Sequence, residues 1–228
     1  ETEPHLVEVL EREARLRGGV PVVVAPDERW TDALGLIGAH QRRNAAVARA
    51  ILETLPTALR PDARAVATGF AGARLAGRFD RRGKWLFDVA HNLDGMGGLV
   101  RALGEERVPH PIHGVVSILG DKDWPEMLVE LDRAVDRGWL TIAPSADRRR
   151  WTLEWLERWL KDPHRPPARA TWHLEPDLRR ALAEAERGAA SVLVRVSFDG
   201  VGDVVLDLFG GSGSTAGGIG LYWPPADY

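Results

Sequence analysis

Lys84-Trp85-Leu86-Phe87-Asp88-Val89-Ala90-His91-Asn92 is the stretch that decides the fold. Its first four residues form a short apolar run that reads as a buried strand, and residues 93–103 then space Leu, Met and Val as a helix does. Between the two, Asp88, His91 and Asn92 set a carboxylate, an imidazole and an amide at the strand's exit. A strand-to-helix turn is where open α/β sheets take ligands, because backbone N–H groups at the helix start and side chains at the strand's carboxyl end converge there. The structural alternative is a plain helix entry in which Asn92 or Asp94 caps and His91 packs.

Outward from this turn the pattern alternates. Strands are expected at 84–87, 113–119, 138–143, 170–173 and 191–196, and helices at 94–103, 125–135, 151–159 and 176–187. Such βα repetition implies right-handed crossovers and an α/β fold, a mainly parallel sheet with helices on both faces. Upstream, 6–16 reads as a charged amphipathic helix stopped at Gly18-Gly19, and 20–24 as a buried strand. Residues 38–55 read as an Ala-rich helix closed by Pro56, with His40, Gln41 and Asn44 in its first turns. From 56 to 79 the composition shifts to Pro, Gly and Arg, as in an interdomain linker.

At 228 residues and 25.1 kDa the chain has room for one full domain and part of a second. A net charge of -3 makes no electrostatic demand for nucleic acid or an acidic membrane, and neither is an expected partner. The absence of cysteine excludes disulfides, thiolate metal sites and cysteine nucleophiles, and suits a reducing compartment. No apolar run approaches the roughly twenty residues of a membrane helix, so the cytoplasm is the expected location. His110, His113, His164 and His173 lack metal-ligand spacing, and no metal site is expected. Arg148-Arg149-Arg150 reads as a solvated helix start. Trp151, Trp155 and Trp159 recur at helical spacing and are expected to cover a core or an interface.

The turn keeps informative company. Leu36-Ile37-Gly38-Ala39-His40-Gln41-Arg42-Arg43-Asn44-Ala45-Ala46 and Gly77-Arg78-Phe79 precede it, and Leu119-Gly120-Asp121-Lys122-Asp123 follows. In this order the blocks resemble the carboxyl-terminal half of the dihydrofolate synthase/folylpolyglutamate synthase family, relatives of the Mur ligases, whose pattern runs G-x-HQ-x-x-NAA, W-x-GR, D-G-AHN-P and a DKD loop. The resemblance spans residues 20–205. Val89 stands where the family has Gly, Leu93 where it has Pro, and Ala76 where Pro often precedes Gly-Arg. Residues 192–199 are similar to the family's V-L-V-T-G-S-F-H, with Val196 for Gly and Asp199 for His. The family's phosphate-binding loop belongs to an amino-terminal ATPase domain, and no G-x-x-x-x-G-K-[ST] run occurs here. The resemblance therefore implies the end of an ATPase domain at 1–58, a linker at 59–79, a Rossmann-like Mur ligase carboxyl-terminal domain at 80–207, and a Gly/Ser-rich tail at 208–228.

In that family ATP activates a substrate carboxylate as an acyl phosphate, and the amine of L-glutamate displaces phosphate to leave an amide. The resemblance implies ATP and Mg2+ as cofactors, with the magnesium ligands in the absent ATPase domain. It implies L-glutamate and dihydropteroate or (tetrahydro)folate as substrates, a monomer, and no ATP turnover by this chain alone. Asn44, Arg78 and Asp88 would contact the nucleotide, Arg78 through the planar fork that suits phosphate and Asp88 as an acceptor for ribose hydroxyls or an amino group. His91 and Lys122 would be catalytic. The imidazole, with a reference pKa of roughly 6.5, would orient or deprotonate the glutamate amine, and the ammonium would meet an anion of glutamate or phosphate. Asn92, Asp121, Asp123 and Ser197 would bind substrate.

Two other readings stay open. A ligase-like sheet without its ATPase partner could be a non-catalytic binding module. Residues 204–215 resemble the D-x-F-x-G-S-G-T cofactor turn of amino-methylating DNA methyltransferases, and Pro224-Pro225 their N-P-P-Y element; S-adenosylmethionine would be the ligand. A Gly/Ser tail is the plainer account of that segment.

Overall fold

The strand and helix periods read from the sequence assemble into a six-stranded sheet in a computed structural model that describes residues 4–19, 22, 24, 28–143, 149–196, 206–207 and 220–221. The strands are β1 (Asp80–Arg82), β2 (Trp85–Phe87), β3 (Ile112–Ser117), β4 (Arg137–Ile142), β5 (Thr171–Asp177) and β6 (Ser191–Val196). The helices are α1 (Pro4–Leu16), α2 (Ala39–Thr54), α3 (Ala63–Gly72), α4 (Leu93–Glu105), α5 (Trp124–Leu131), α6 (Leu153–Lys161) and α7 (Leu178–Glu186). In space the strands run β1-β2-β6-β3-β4-β5, antiparallel between β1 and β2 and parallel elsewhere. Last in sequence, β6 lies between β2 and β3, with Phe87 opposite Val194 and Ser117 opposite Val196. The carboxyl ends of these three strands therefore share one edge.

Alternation along the strands divides the core. Val115, Trp139, Val192 and Val194 pack with Leu178, Ala181, Leu182 and Ala185 of α7 on one face. Leu86, Val116, Leu140 and Leu193 take the other, where α4 and α5 pack together and bury Met96, Leu99, Met127, Leu128 and Leu131. Each such side chain contributes roughly 1.5–3 kcal/mol on leaving water. Gly138 faces Trp172 across β4 and β5, and a Cβ built on it would stand 2.2 Å from the indole.

Several expectations change. The polar hairpin strand β1, turning back through Gly83, has no apolar pattern to announce it. Helix α6 starts at Leu153 instead of 151, because the Thr152 hydroxyl accepts the Trp155 N–H at 3.2 Å and caps it. Trp151 therefore precedes the helix, fully buried with its Nε1–H on the Thr141 carbonyl, while Trp155 is 42% exposed. The three indoles form no single stripe; Trp124 bridges Trp151 and Trp159 instead, at 5.7 and 6.2 Å between ring centres.

Glu1–Ala73 is one compact unit and Arg74–Tyr228 another. Helix α3 lies within the expected linker. Within that Pro-, Gly- and Arg-rich stretch, Pro61 and Asp62 form the entry of α3, where the Asp62 carboxylate accepts the Ala65 N–H at 2.7 Å. In the same unit Phe70 of α3 meets the Trp30 ring edge-on at 4.9 Å. Of the strand expected at 20–24, only 22 and 24 are described, and neither pairs in a sheet. The expected tail lies outside the described residues except Gly220–Leu221, which pairs with Leu206–Asp207. No described helix is long and apolar enough to cross a membrane.

Candidate functional site

Where the chain leaves β2, the Asp88 carboxylate holds two backbone amides. Its Oδ2 accepts the Phe79 N–H at 2.9 Å and its Oδ1 the Ala90 N–H at 2.8 Å. The Val89 N–H donates to the Gly77 carbonyl at 2.9 Å. These bonds fasten the Gly-Arg block to the turn, so two motifs separate in sequence become one surface. Gly77 and Phe79 have left-handed backbones, at φ 72° and 49°. Glycine bears this freely, whereas Phe79 carries strain of order 1 kcal/mol, held by burial of its ring and by Asp88. Arg78 stands between them, half-buried. Val89, in the family's Gly position, has no left-handed backbone, so a β-branched residue fits there.

Burial raises the Asp88 pKa above its ordinary 3.8, against the pull of the Phe79 and Ala90 amides and then of the Arg78 and Arg195 charges. One lone pair of each oxygen is spent on an amide, and each oxygen keeps a second for another donor. Arg195 was not singled out in the sequence, although a lone cation inside the apolar run of β6 was the available signal. It is 1% exposed, with Nη1 donating to the Ser117 carbonyl at 2.6 Å and Nε to that of Ala90.

His91 is exposed, with Nδ1 3.4 Å from the Val89 carbonyl. Asn92 takes the structural alternative, its Oδ1 accepting the Gly95 N–H at 2.8 Å as the cap of α4. Beyond β3, Asp121 pairs with Arg149 at 2.8 Å, and the Gly120 N–H donates to the Arg149 carbonyl at 2.6 Å. The Arg patch expected to open a helix is thus fastened, at Arg149, to the 119–123 loop. Asp123 stands at the start of α5 without a side-chain cap bond, and Lys122 is half-buried. The second unit thereby gathers Arg78, Asp88, His91, Asn92 and the 121–123 group at one edge of its sheet.

Asn44 belongs to the first unit. It is exposed on the first turns of α2, and its Nδ2 donates at 3.2 Å to Gln41, whose amide lies 3.0 Å from His40 Nε2. Ser197 lies outside the described residues. Two clefts, of ≈ 370 Å³ beside Trp30 and Arg60 and ≈ 220 Å³ beside Trp159 and Arg165, include none of these candidates. Among the described residues no group of three or more His, Asp or Glu could hold a metal ion.

The arrangement suits an anionic ligand with polar groups: a phosphate-shaped cation at Arg78, an ammonium at Lys122, an exposed imidazole and a helix start share one edge. No family model matches the chain. A curated dihydrofolate synthase/folylpolyglutamate synthase of Mycobacterium tuberculosis is 36% identical over 109 residues, which is 45% of this chain and 22% of that protein. Among solved structures, a Mycobacterium tuberculosis folylpolyglutamate synthase complexed with ADP and AMPPCP aligns with a TM-score of 0.63 at 25% identity, over 85% of this chain and 50% of that one. FolC of E. coli, in complex with DHPP and ADP, aligns with a TM-score of 0.55 at 27% identity, over 68% of this chain and 35% of that one. The chain thus spans about a fifth of the curated relative and half or less of these structures.

Proposed function

This chain belongs to the dihydrofolate synthase/folylpolyglutamate synthase family, of which it carries one portion, and we propose that its second unit supplies part of the nucleotide and glutamate site of an ATP-dependent folate ligase. The observation that carries this reading is the Asp88 clamp, which sets the Arg78 segment against the turn bearing His91. The nucleotide would supply a phosphoryl group to a dihydropteroate or folate carboxylate; phosphate is then the group that the glutamate amine displaces.

In this reading the Arg78 fork binds phosphate oxygens, and the remaining lone pairs of Asp88 accept from ribose hydroxyls or an amino group. Asn44 offers the nucleotide a donor and an acceptor in one amide. His91 takes the proton that the attacking amine loses as the C–N bond forms, and Lys122 holds a carboxylate of glutamate or the departing phosphate. The Nδ2 of Asn92, which capping does not use, can donate to glutamate, with Asp121, Asp123 and Ser197 as further substrate contacts. Magnesium would be held by residues of an ATPase domain, one or two carboxylates together with the nucleotide phosphates.

A second reading, a non-catalytic ligase-like binding module, is favoured by the engagement of Asp121 with Arg149 and of Asn92 in its cap. The two separate in one assay, ATP-dependent incorporation of labelled glutamate into dihydropteroate by this chain fused behind a family ATPase domain. Incorporation by the fusion and not by the ATPase domain alone supports the ligase; none from a folded fusion leaves the binding module.

A further inference from the structure

A guanidinium buried to 1% exposure at the carboxyl end of a central strand is costly unless its surroundings compensate it. Arg195 is compensated by groups from both neighbouring strands. Because β6 lies between β2 and β3, the side chain reaches sideways in both directions. Nε donates to the Ala90 carbonyl, three residues beyond the end of β2, and Nη1 to the carbonyl of Ser117, the last residue of β3. Its charge also acts on Asp88, which clamps the same turn through the Phe79 and Ala90 amides.

Among the described residues, parallel pairing on β6 reaches Asp88, whose N–H donates to the Val194 carbonyl at 3.2 Å, and Ser117, opposite Val196. To these pairs the rigid fork of Arg195 adds a direct tie between the two exits, offering two donors at fixed separation where a lysine offers a single point charge. We propose that Arg195 is a positioning residue that fixes the 88–92 turn against the 118–123 loop, so that Asp88, His91 and Lys122 are presented from one edge at set spacing. The functional meaning of this brace rests on the ligase reading above; the brace itself does not.

The test is solution NMR of the full chain with its Arg195→Lys and Arg195→Met variants. In the native chain, the Arg195 Nε–H resonance is expected to be protected from solvent exchange at neutral pH. Arg195→Lys should shift backbone amides in both the 88–92 and the 118–123 segments and leave α7 unmoved. Arg78 and Arg195 are the charges acting on Asp88, so Arg195→Met should move the titration of the Asp88 carboxyl carbon to higher pH, and Arg195→Lys should return it toward the native midpoint. An unprotected Nε–H overturns the proposal, as does a folded Arg195→Lys chain with shifts confined to one of the two segments. If Arg195→Met does not fold, the native signal and the lysine variant decide. None of these readouts requires catalysis, so an inactive fusion would remove the ligase reading and leave the brace standing.

Discussion

Asp88 accepts the amide of Phe79 at 2.9 Å across nine residues of chain, and the bond joins the Gly-Arg segment to the strand exit. Its carboxyl is also the one that burial pushes above 3.8 despite two amides and two arginines.

That direction has a consequence for stability. A folded-state pKa above the unfolded value means that the folded chain binds more protons in the interval between them, so stability falls as pH rises from about 3.8 to the raised value and then levels off. Urea midpoints measured for the native chain and for Asp88→Asn across the acid range should show this slope in their difference. A difference that does not change with pH would disprove it.

Asp136, at the opposite end of the sheet, has the reverse sign. Burial raises its pKa, but the Ile112 amide, the His110 ring and Arg169 outweigh burial, and the net shift is downward from 3.8. Its stabilisation is present above about 3.8 and lost as pH falls through the lowered value. Asp136→Asn should therefore lose stability near neutrality and converge on the native chain in strong acid, measured by the same urea titrations.

Gly138→Ala should cost about 3 kcal/mol, at the upper end of overpacking, because the indole it would strike is pinned by a 2.8 Å bond from Trp172 Nε1 to Asp132. Gly104→Ala in α4, where a Cβ meets nothing within 4 Å, should instead gain up to about 1 kcal/mol from helix propensity. Thermal unfolding of the pair compares them directly.

Asn92→Ala should destabilise the chain by about 1 kcal/mol through loss of the α4 cap, while Asn92→Asp keeps it. Should Asn92→Asp retain stability yet lower ligation in the fused enzyme, Asn92 contacts substrate as well as capping.

Arg78→Ala in the fused enzyme is expected to slow ligation roughly a hundredfold, the scale of losing one charge-stabilising donor, and Arg78→Lys should recover only part of it. An unchanged rate of glutamate incorporation would remove Arg78 from the site.

The alternation of strands and helices was legible because burial imposes periods of two and 3.6 on neighbouring residues. The turn at 87–92 was legible from polar types set at a strand's exit, and the blocks around it from their resemblance to a family pattern in the same order. Asn92 as a cap was likewise visible in the sequence, three residues before the amide that it accepts. Helix α3 was obscured because Pro61 and Asp62 mark a helix entry and a linker equally well.

What the tertiary structure alone decided is who meets whom. Placing β6 between β2 and β3 turned Arg195, an odd cation in an apolar strand, into a brace for two distant loops. The β1–β2 hairpin set Phe79 against Asp88 and Gly77 against Val89, and the loop beyond β3 met Arg149 at Asp121. Side-chain periodicity follows from neighbours along the chain, whereas strand order and the partners of a buried charge depend on contacts tens of residues apart, which no local pattern encodes.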